Sequence, residues 1–253
     1  MNKIISSNSR FIHRSGDYMQ EIYKLTPQML QDDEYFAHIV ANMDNNYYWN
    51  DDWSEEFYVA LAKKGFIATS YDTPEGLILL PELQFAYAIL EFENLHISKK
   101  VAKLLEKKEH YSFGINTQLL EVLNSLEKYH KYNWLKGRYV ELMKNLFQNN
   151  GKHKNFKLIS VTLNDTKTGV LVAGEVGYII GKTYTSLSGF SDKNYANYGT
   201  LQMVLLAQHL QEKGFDFWNM GHPYMEYKKK LGCCVLDRKE FLKQWFVSTQ
   251  ERV

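Results

Sequence analysis

Apolar positions recur at two spacings along this chain, and the alternation between them lays out its elements. From Ser54, the segment SEEFYVALAKKGF places Phe57, Ala60 and Leu61 at three- and four-residue steps. That is a helix, with Ser54 able to cap its start and Gly65 its end. The short apolar runs FIATSY, LILL and FAYAILEF follow, with Thr-Pro-Glu-Gly between the first two, and read as strands and a turn. Ser98 opens a second helix, SKKVAKLLEKKEH, whose stripe is Val101, Leu104 and Leu105. YSFGIN reads as a strand, and TQLLEVLNSLEKYH and RYVELMKNLF as amphipathic helices. Residues 1–50 are patchier, and their acidic aromatic stretch MDNNYYWNDDW reads as an ordered loop.

The rest of the chain is more regular. FKLISVTLN, VLVAGEVGYII and TYTSLSGFS, separated by DTKTG and GK, predict three consecutive antiparallel strands. LQMVLLAQHLQEKGF predicts a helix stopped at Gly214, FDFWNMG a further strand, and YMEYKKKLG and DRKEFLKQWF two closing helices. A three-strand meander, a helix, a strand and a helix is the order of the later half of an N-acetyltransferase-like (GNAT) fold. The expected class is therefore α+β, with a GNAT-like domain over residues 96–253 and a smaller α/β domain over residues 1–95. Such an order names no substrate.

Composition adds exclusions. Hydrophobic residues make up 45% of the 253 and charged ones 23%, with only four Pro, which rules out a disordered or linker-dominated chain. No apolar run approaches the ~20 residues of a bilayer span, and the N-terminus lacks a sustained apolar leader. The only cysteines, Cys233 and Cys234, are adjacent and make no secreted disulfide framework, so a cytoplasmic location is expected. Neither CxxC nor HExxH is present to suggest a metal. Charge changes the picture more. Residues 1–95 carry 6 Lys/Arg and 15 Asp/Glu, while residues 96–253 carry 24 and 14. Such polarity points either to a polyanionic partner or to mutual neutralisation of the two segments.

Several blocks, taken in order from about Trp53 to Trp245, resemble the leucyl/phenylalanyl-tRNA–protein transferases. WSEEFYVALAKKGFIATS is similar to that family's helix leading into its G-[IY]-F-P-W segment, and LHISKKVAKLLEKK to its L-H-[IV]-[SP]-[RK] block. NWLKGRYVELMKNLF resembles its T-W-I helix, and AGEVGYIIGKTYTSLSGFS its glycine-rich meander ending in E-S-M-F-S. FDFWNMG sits at its I-D-C-Q strand and KLGCCVLDRKEFL at its S-L-G-A close. The chain departs at Ala68-Thr69 (for Pro-Trp), Leu187 (for Glu), Gly189 (for Met), Asn219 (for Asp) and Gly221 (for Gln).

The resemblance implies transfer of an amino acid from aminoacyl-tRNA to the N-terminal α-amine of a protein, tagging it for degradation. No metal or organic cofactor is implied, because the tRNA carries the activated acyl group. It places Trp134 under the 3′-terminal adenosine, a stacking role worth ~1–3 kcal/mol per base; a core Trp is the plainer reading. It sets Lys99, Lys100, Lys103 and Lys107 against the acceptor stem, although charge runs are commonly solvated faces. Asn219 and Ser188 become the candidates for catalysis. Tyr184, Leu187, Gly189, Phe190, Asn197 and Gly221 become candidates for substrate binding. Glu175 stands where the family keeps an apolar residue of the donor side-chain pocket. A buried acid needs a cationic or hydrogen-bonding partner, and an Arg or Lys donor side chain would serve. The alternative is an outward-facing edge Glu, with the family's Leu or Phe donors retained. Two rival readings stay open: an acyl-CoA-dependent N-acyltransferase, for which only NYANYGT occupies the pyrophosphate-loop position, and a non-catalytic tRNA- or peptide-binding relative.

Overall fold

The computed structural model describes residues 10–15 and 18–250, with side chains described from Glu21 onward. Strands β1 (Arg10–Ser15) and β2 (Tyr18–Lys24) form an antiparallel pair, and helices α1 (Pro27–Gln31) and α2 (Asp33–Ala41) follow. The acidic aromatic stretch is mostly loop, as expected, but includes a two-residue strand, β3 (Tyr48–Trp49), parallel to β2. Helix α3 (Glu55–Lys63) starts where the pattern placed it, with the Ser54 hydroxyl accepting from the Phe57 N–H at 3.2 Å. β4 (Ile67–Thr73) and β5 (Gly76–Glu82) make a hairpin through the Pro-Glu-Gly turn.

Next come β6 (Ala86–Leu90), α4 (Lys99–Leu105), β7 (Tyr111–Ile115), α5 (Leu119–Tyr129) and α6 (Arg138–Gln148). The meander is β8 (Phe156–Asp165), β9 (Leu171–Ile180) and β10 (Thr183–Ser191). The chain closes with α7 (Tyr198–Glu212), β11 (Phe217–Asn219), α8 (Glu226–Leu231), β12 (Cys234–Asp237) and α9 (Arg238–Thr249). Seven strands form one sheet in the order β12-β6-β11-β10-β9-β8-β7. The fold is α+β and GNAT-like by this order: an antiparallel meander, then a crossover helix to a strand parallel with its last member.

The meander's side chains alternate between two cores, as period-2 strands buried on both faces must. Leu158, Val176 and Tyr178 pack with α3, α5, α6 and α9, whereas Ile159, Val161 and Ala173 pack with α7 and Val101 of α4. The boundary expected at residue 95 runs through shared structure, because β6 lies between β11 and β12 of the large sheet. Arg238 ties the same halves together. It is 2% exposed, and its guanidinium donates to the carbonyls of Ile39, Val40, Asn42, Leu83 and Gln84. Two elements differ from the sequence pattern. The lysine-rich helix ends at Leu105, leaving Lys107 in the turn beyond it, and CVLD, to which the pattern assigned no strand, forms an edge strand between the two closing helices.

Candidate active site

The parallel pairing of β10 with β11 lasts only from Thr183 to Thr185. Beyond it β10 runs on to Ser191, and its register against β9 slips at Leu187, between Ser186 and Ser188. A bulge bends and twists a strand, and here it lies where β10 leaves β11. A cleft of about 590 Å³ opens at this point, a size suited to a small substrate group. Its walls come from the end of α5 (Tyr129, His130), Trp134, β10 (Ser186 to Ser191), the first turns of α7, and Met220, Met225, Tyr227 and Lys228.

Glu175 lies in this cleft, on β9, and is 5% exposed. Its Oε1 accepts from the Tyr184 hydroxyl at 2.7 Å and the Ser186 hydroxyl at 2.9 Å. The Ser186 oxygen also accepts the Trp218 indole N–H at 2.8 Å; since an indole offers no acceptor, the hydroxyl proton is left for Glu175. Oε2 has only the Gln202 amide, at 3.5 Å. All three partners are neutral, and no cation lies within ion-pair distance among the described residues. Burial pushes the carboxyl upward from its ordinary value, and the three donors oppose that shift. Across from it, a Cβ added at Gly189 would sit 3.3 Å from the Glu175 Cβ and 3.9 Å from Oε2. The absent side chain thus leaves room beside Oε2, whose one partner is the long Gln202 contact.

Lys228, which sequence reasoning missed, supplies the opposite charge. It is 4% exposed, and its ammonium donates to the carbonyls of Met220 and His222, leaving one N–H for the cleft. Burial lowers its pKa to about 8. The only sequence signal was its place among three lysines, where helix periodicity could not say which one turns inward. His130 Nε2 lies 3.0 Å from the Gly189 carbonyl and 3.4 Å from Ser188 Oγ. A carbonyl needs a donor, so Nε2 carries a proton and cannot take one from Ser188. Ser188 therefore has a positioning geometry rather than that of an activated nucleophile.

The other residues singled out in the sequence divide. Trp134, Leu187, Ser188, Gly189 and Phe190 line the cleft together with Glu175. Trp134 is half-buried and meets Tyr139 edge-on at 4.9 Å. Tyr184 stands behind Glu175, fully buried against Trp218. Asn219 is 1% exposed and lies behind the wall. Its Oδ1 accepts the Gly221 N–H at 2.9 Å, and its amide reaches Thr185 Oγ1 at 3.4 Å. Gly221 takes φ +71 in that turn. Asn197, at φ +69, precedes the first turn of α7 on the exposed side. Lys99, Lys100 and Lys103 project from α4, exposed, with Lys107 beyond its end. Among the described residues no cluster of three His, Cys, Asp or Glu could hold a metal, and no helix is long and apolar enough to cross a membrane.

The GNAT-like sheet thus splays beside a buried carboxylate and a buried ammonium. Residues 89–245, more than half of the chain, match the family described as leucyl/phenylalanyl-tRNA protein transferase, and the chain belongs to that family. Its class is thus that of transferases that use aminoacyl-tRNA. No curated protein sequence matches the chain. Among solved structures it is similar to L-PGS from Bacillus licheniformis (12% identity, 95% of this chain and 86% of that one, TM-score 0.43). It is also similar to FemX (8% identity, 90% and 81%, TM-score 0.43). A third is a tandem GNAT protein from the clavulanic acid biosynthesis pathway (10% identity, 81% and 69%, TM-score 0.40). These likenesses are too slight to carry an activity, and the fold assignment rests on the strand order itself.

Proposed function

We propose that this protein transfers a basic amino acid, Arg or Lys, from its tRNA to the N-terminal α-amine of a protein, as an N-degron tag. The observation that carries the donor choice is Glu175, a buried carboxylate with neutral partners only and one oxygen facing the cleft across Gly189. A guanidinium or ammonium entering there forms a charge-assisted hydrogen bond. A Leu or Phe side chain would bury the carboxylate unpaired, a loss of about 3–5 kcal/mol against the paired state.

In the reaction the acceptor amine attacks the ester carbonyl carbon, the bond from that carbon to the ribose oxygen breaks, and an amide forms. The amine sheds one proton and the departing oxygen gains one. An α-amine with pKa near 7.7–8.0 already has a usable neutral fraction at pH 7, so orientation contributes more than strong base catalysis. Lys228, with its spare N–H, supports a proton-donor role toward the departing oxygen. Trp134 on the cleft wall supports stacking of the terminal adenosine.

The test compares Arg-, Lys-, Leu- and Phe-tRNA as donors to a peptide, for wild type, Glu175→Gln and Glu175→Met. The expected result is transfer of Arg or Lys by wild type and a loss of that preference in both variants. Wild type that transfers Leu or Phe best, with no change in either variant, overturns the donor assignment.

A further inference from the structure

The two rims of the cleft carry a surface that the acyl-transfer chemistry does not need. Of the five exposed tyrosines with described side chains, four belong to the two segments that wall this opening: Tyr129 at 46%, Tyr132 at 85%, Tyr224 at 83% and Tyr227 at 43%. Tyr129 and Tyr227 line the cleft itself. Tyr132 lies between the wall residues His130 and Trp134, and Tyr224 precedes the wall residue Met225. Large rings left this open to water are not finishing a core.

Charge accompanies them. The α5–α6 connection reads KYHKYNWLKGR over residues 128–138, with four cations and no acid. Lys128, Lys131, Lys136 and Arg138 are all exposed, and only Lys136 has a carboxylate partner among the described residues, Asp72. Lys131 Nζ lies 5.5 Å over the Tyr132 ring. On the facing rim, Lys229 and Lys230 are exposed on α8 beside Tyr227. The Tyr224 ring stacks on His222 at 5.6 Å, which presents its outer face to solvent. Flat rings interleaved with unpaired cations fit a single-stranded nucleic acid, whose bases stack while its phosphates meet the lysines. An acceptor peptide has no comparable succession of flat faces and negative charges.

We infer that these rims clamp the unpaired 3′ end of the tRNA, with Tyr132 and Tyr224 as stacking plates for the nucleotides leading to the terminal adenosine. The inference rests on the reading of the cleft as an aminoacyl-tRNA site. It adds the mouth of the cleft to the exposed lysines of α4 as a surface for RNA.

Binding is measured with two unacylated RNA hairpins sharing an acceptor-like stem, one blunt and one ending in unpaired 3′ ACCA. Wild type is expected to prefer the tailed hairpin by at least tenfold. Tyr132→Ala and Tyr224→Ala should each weaken tailed-hairpin binding about tenfold and leave blunt-hairpin binding unchanged, while Tyr132→Phe retains it. Lys131→Ala and Lys229→Ala should flatten the salt dependence. Equal affinity of wild type for both hairpins, or a Tyr132/Tyr224 double variant that binds the tailed hairpin as wild type does, overturns the inference. So does a double variant that raises KM for the peptide acceptor alone, which would give the rims to the protein substrate. Because the RNA carries no amino acid, a chain that transfers nothing can still pass this test, and one that transfers can still fail it.

Discussion

Replacing Gly189 by Met would put back the side chain that the resembling family carries there, and its consequence can be worked from the coordinates. β10 is extended at this point and Gly189 is not among the positive-φ glycines, so a side chain meets no backbone penalty. Its Cβ would lie 3.3 Å from the Glu175 Cβ and 3.4 Å from the Gly174 carbonyl oxygen, tight contacts that a shift of a few tenths of an ångström relieves. The remaining atoms then lie over Oε2, the one Glu175 oxygen with room for a cation. Denying a buried carboxylate its partner costs about 3–5 kcal/mol. At ~1.4 kcal/mol per tenfold, kcat/KM for Arg-tRNA or Lys-tRNA should fall by about two to three and a half orders of magnitude. Leu-tRNA and Phe-tRNA should lose little or improve. Steady-state transfer with each of the four donors reads this directly, with circular dichroism confirming the fold. A uniform loss across all four donors, or none, refutes the reasoning that Gly189 opens the path to Glu175.

Other outcomes follow from the same geometry. Arg238→Ala should lower unfolding free energy by about 4 kcal/mol in denaturant titration, since five buried or part-buried carbonyls lose their donor. The pH–rate profile should rise as the acceptor amine deprotonates and fall as the Lys228 ammonium, pKa about 8, gives up its proton. Lys228→Arg should abolish the falling limb, and a limb unchanged in that variant assigns it elsewhere. Burial raises the Glu175 pKa in the folded state, so its ionisation disfavours folding. The associated stability is present at low pH and lost as pH rises through the folded value. Glu175→Gln should therefore raise Tm at neutral pH but not in acid. Asn219→Ala should destabilise by about 1 kcal/mol through loss of its bond to the Gly221 N–H, and Asn219→Asp, which keeps the acceptor, should do so less.

Much of the fold was legible because its elements are strongly patterned. The meander, α3 with its Ser54 cap and the Gly214 stop of α7 all lie where periodicity placed them. The edge strand β12 was not legible, since Cys234, Val235 and Asp237 are exposed and show no buried alternation. The place of β6 inside the large sheet is a long-range pairing that no local pattern records. At the cleft, the acid within VLVAGEVGYII did flag Glu175, because a carboxylate in an apolar strand needs a reason. Asn219 shows the limit of reasoning by matched position: the same strand-end place can turn its side chain into a turn rather than toward a substrate. Lys228 was hidden among its neighbours, since burial depends on what packs against α8.

Passage of an amino acid from tRNA to a protein N-terminus leaves a covalent mark on the acceptor. Its most direct measurement is the mass of a peptide incubated with the protein and Arg- or Lys-tRNA, beside the same peptide acetylated at its N-terminus. The free peptide should gain the mass of one Arg or Lys residue at its first position, and the acetylated peptide should gain nothing. A free peptide left unchanged by every aminoacyl-tRNA, or one modified only when acetyl-CoA is supplied, would contradict this transfer.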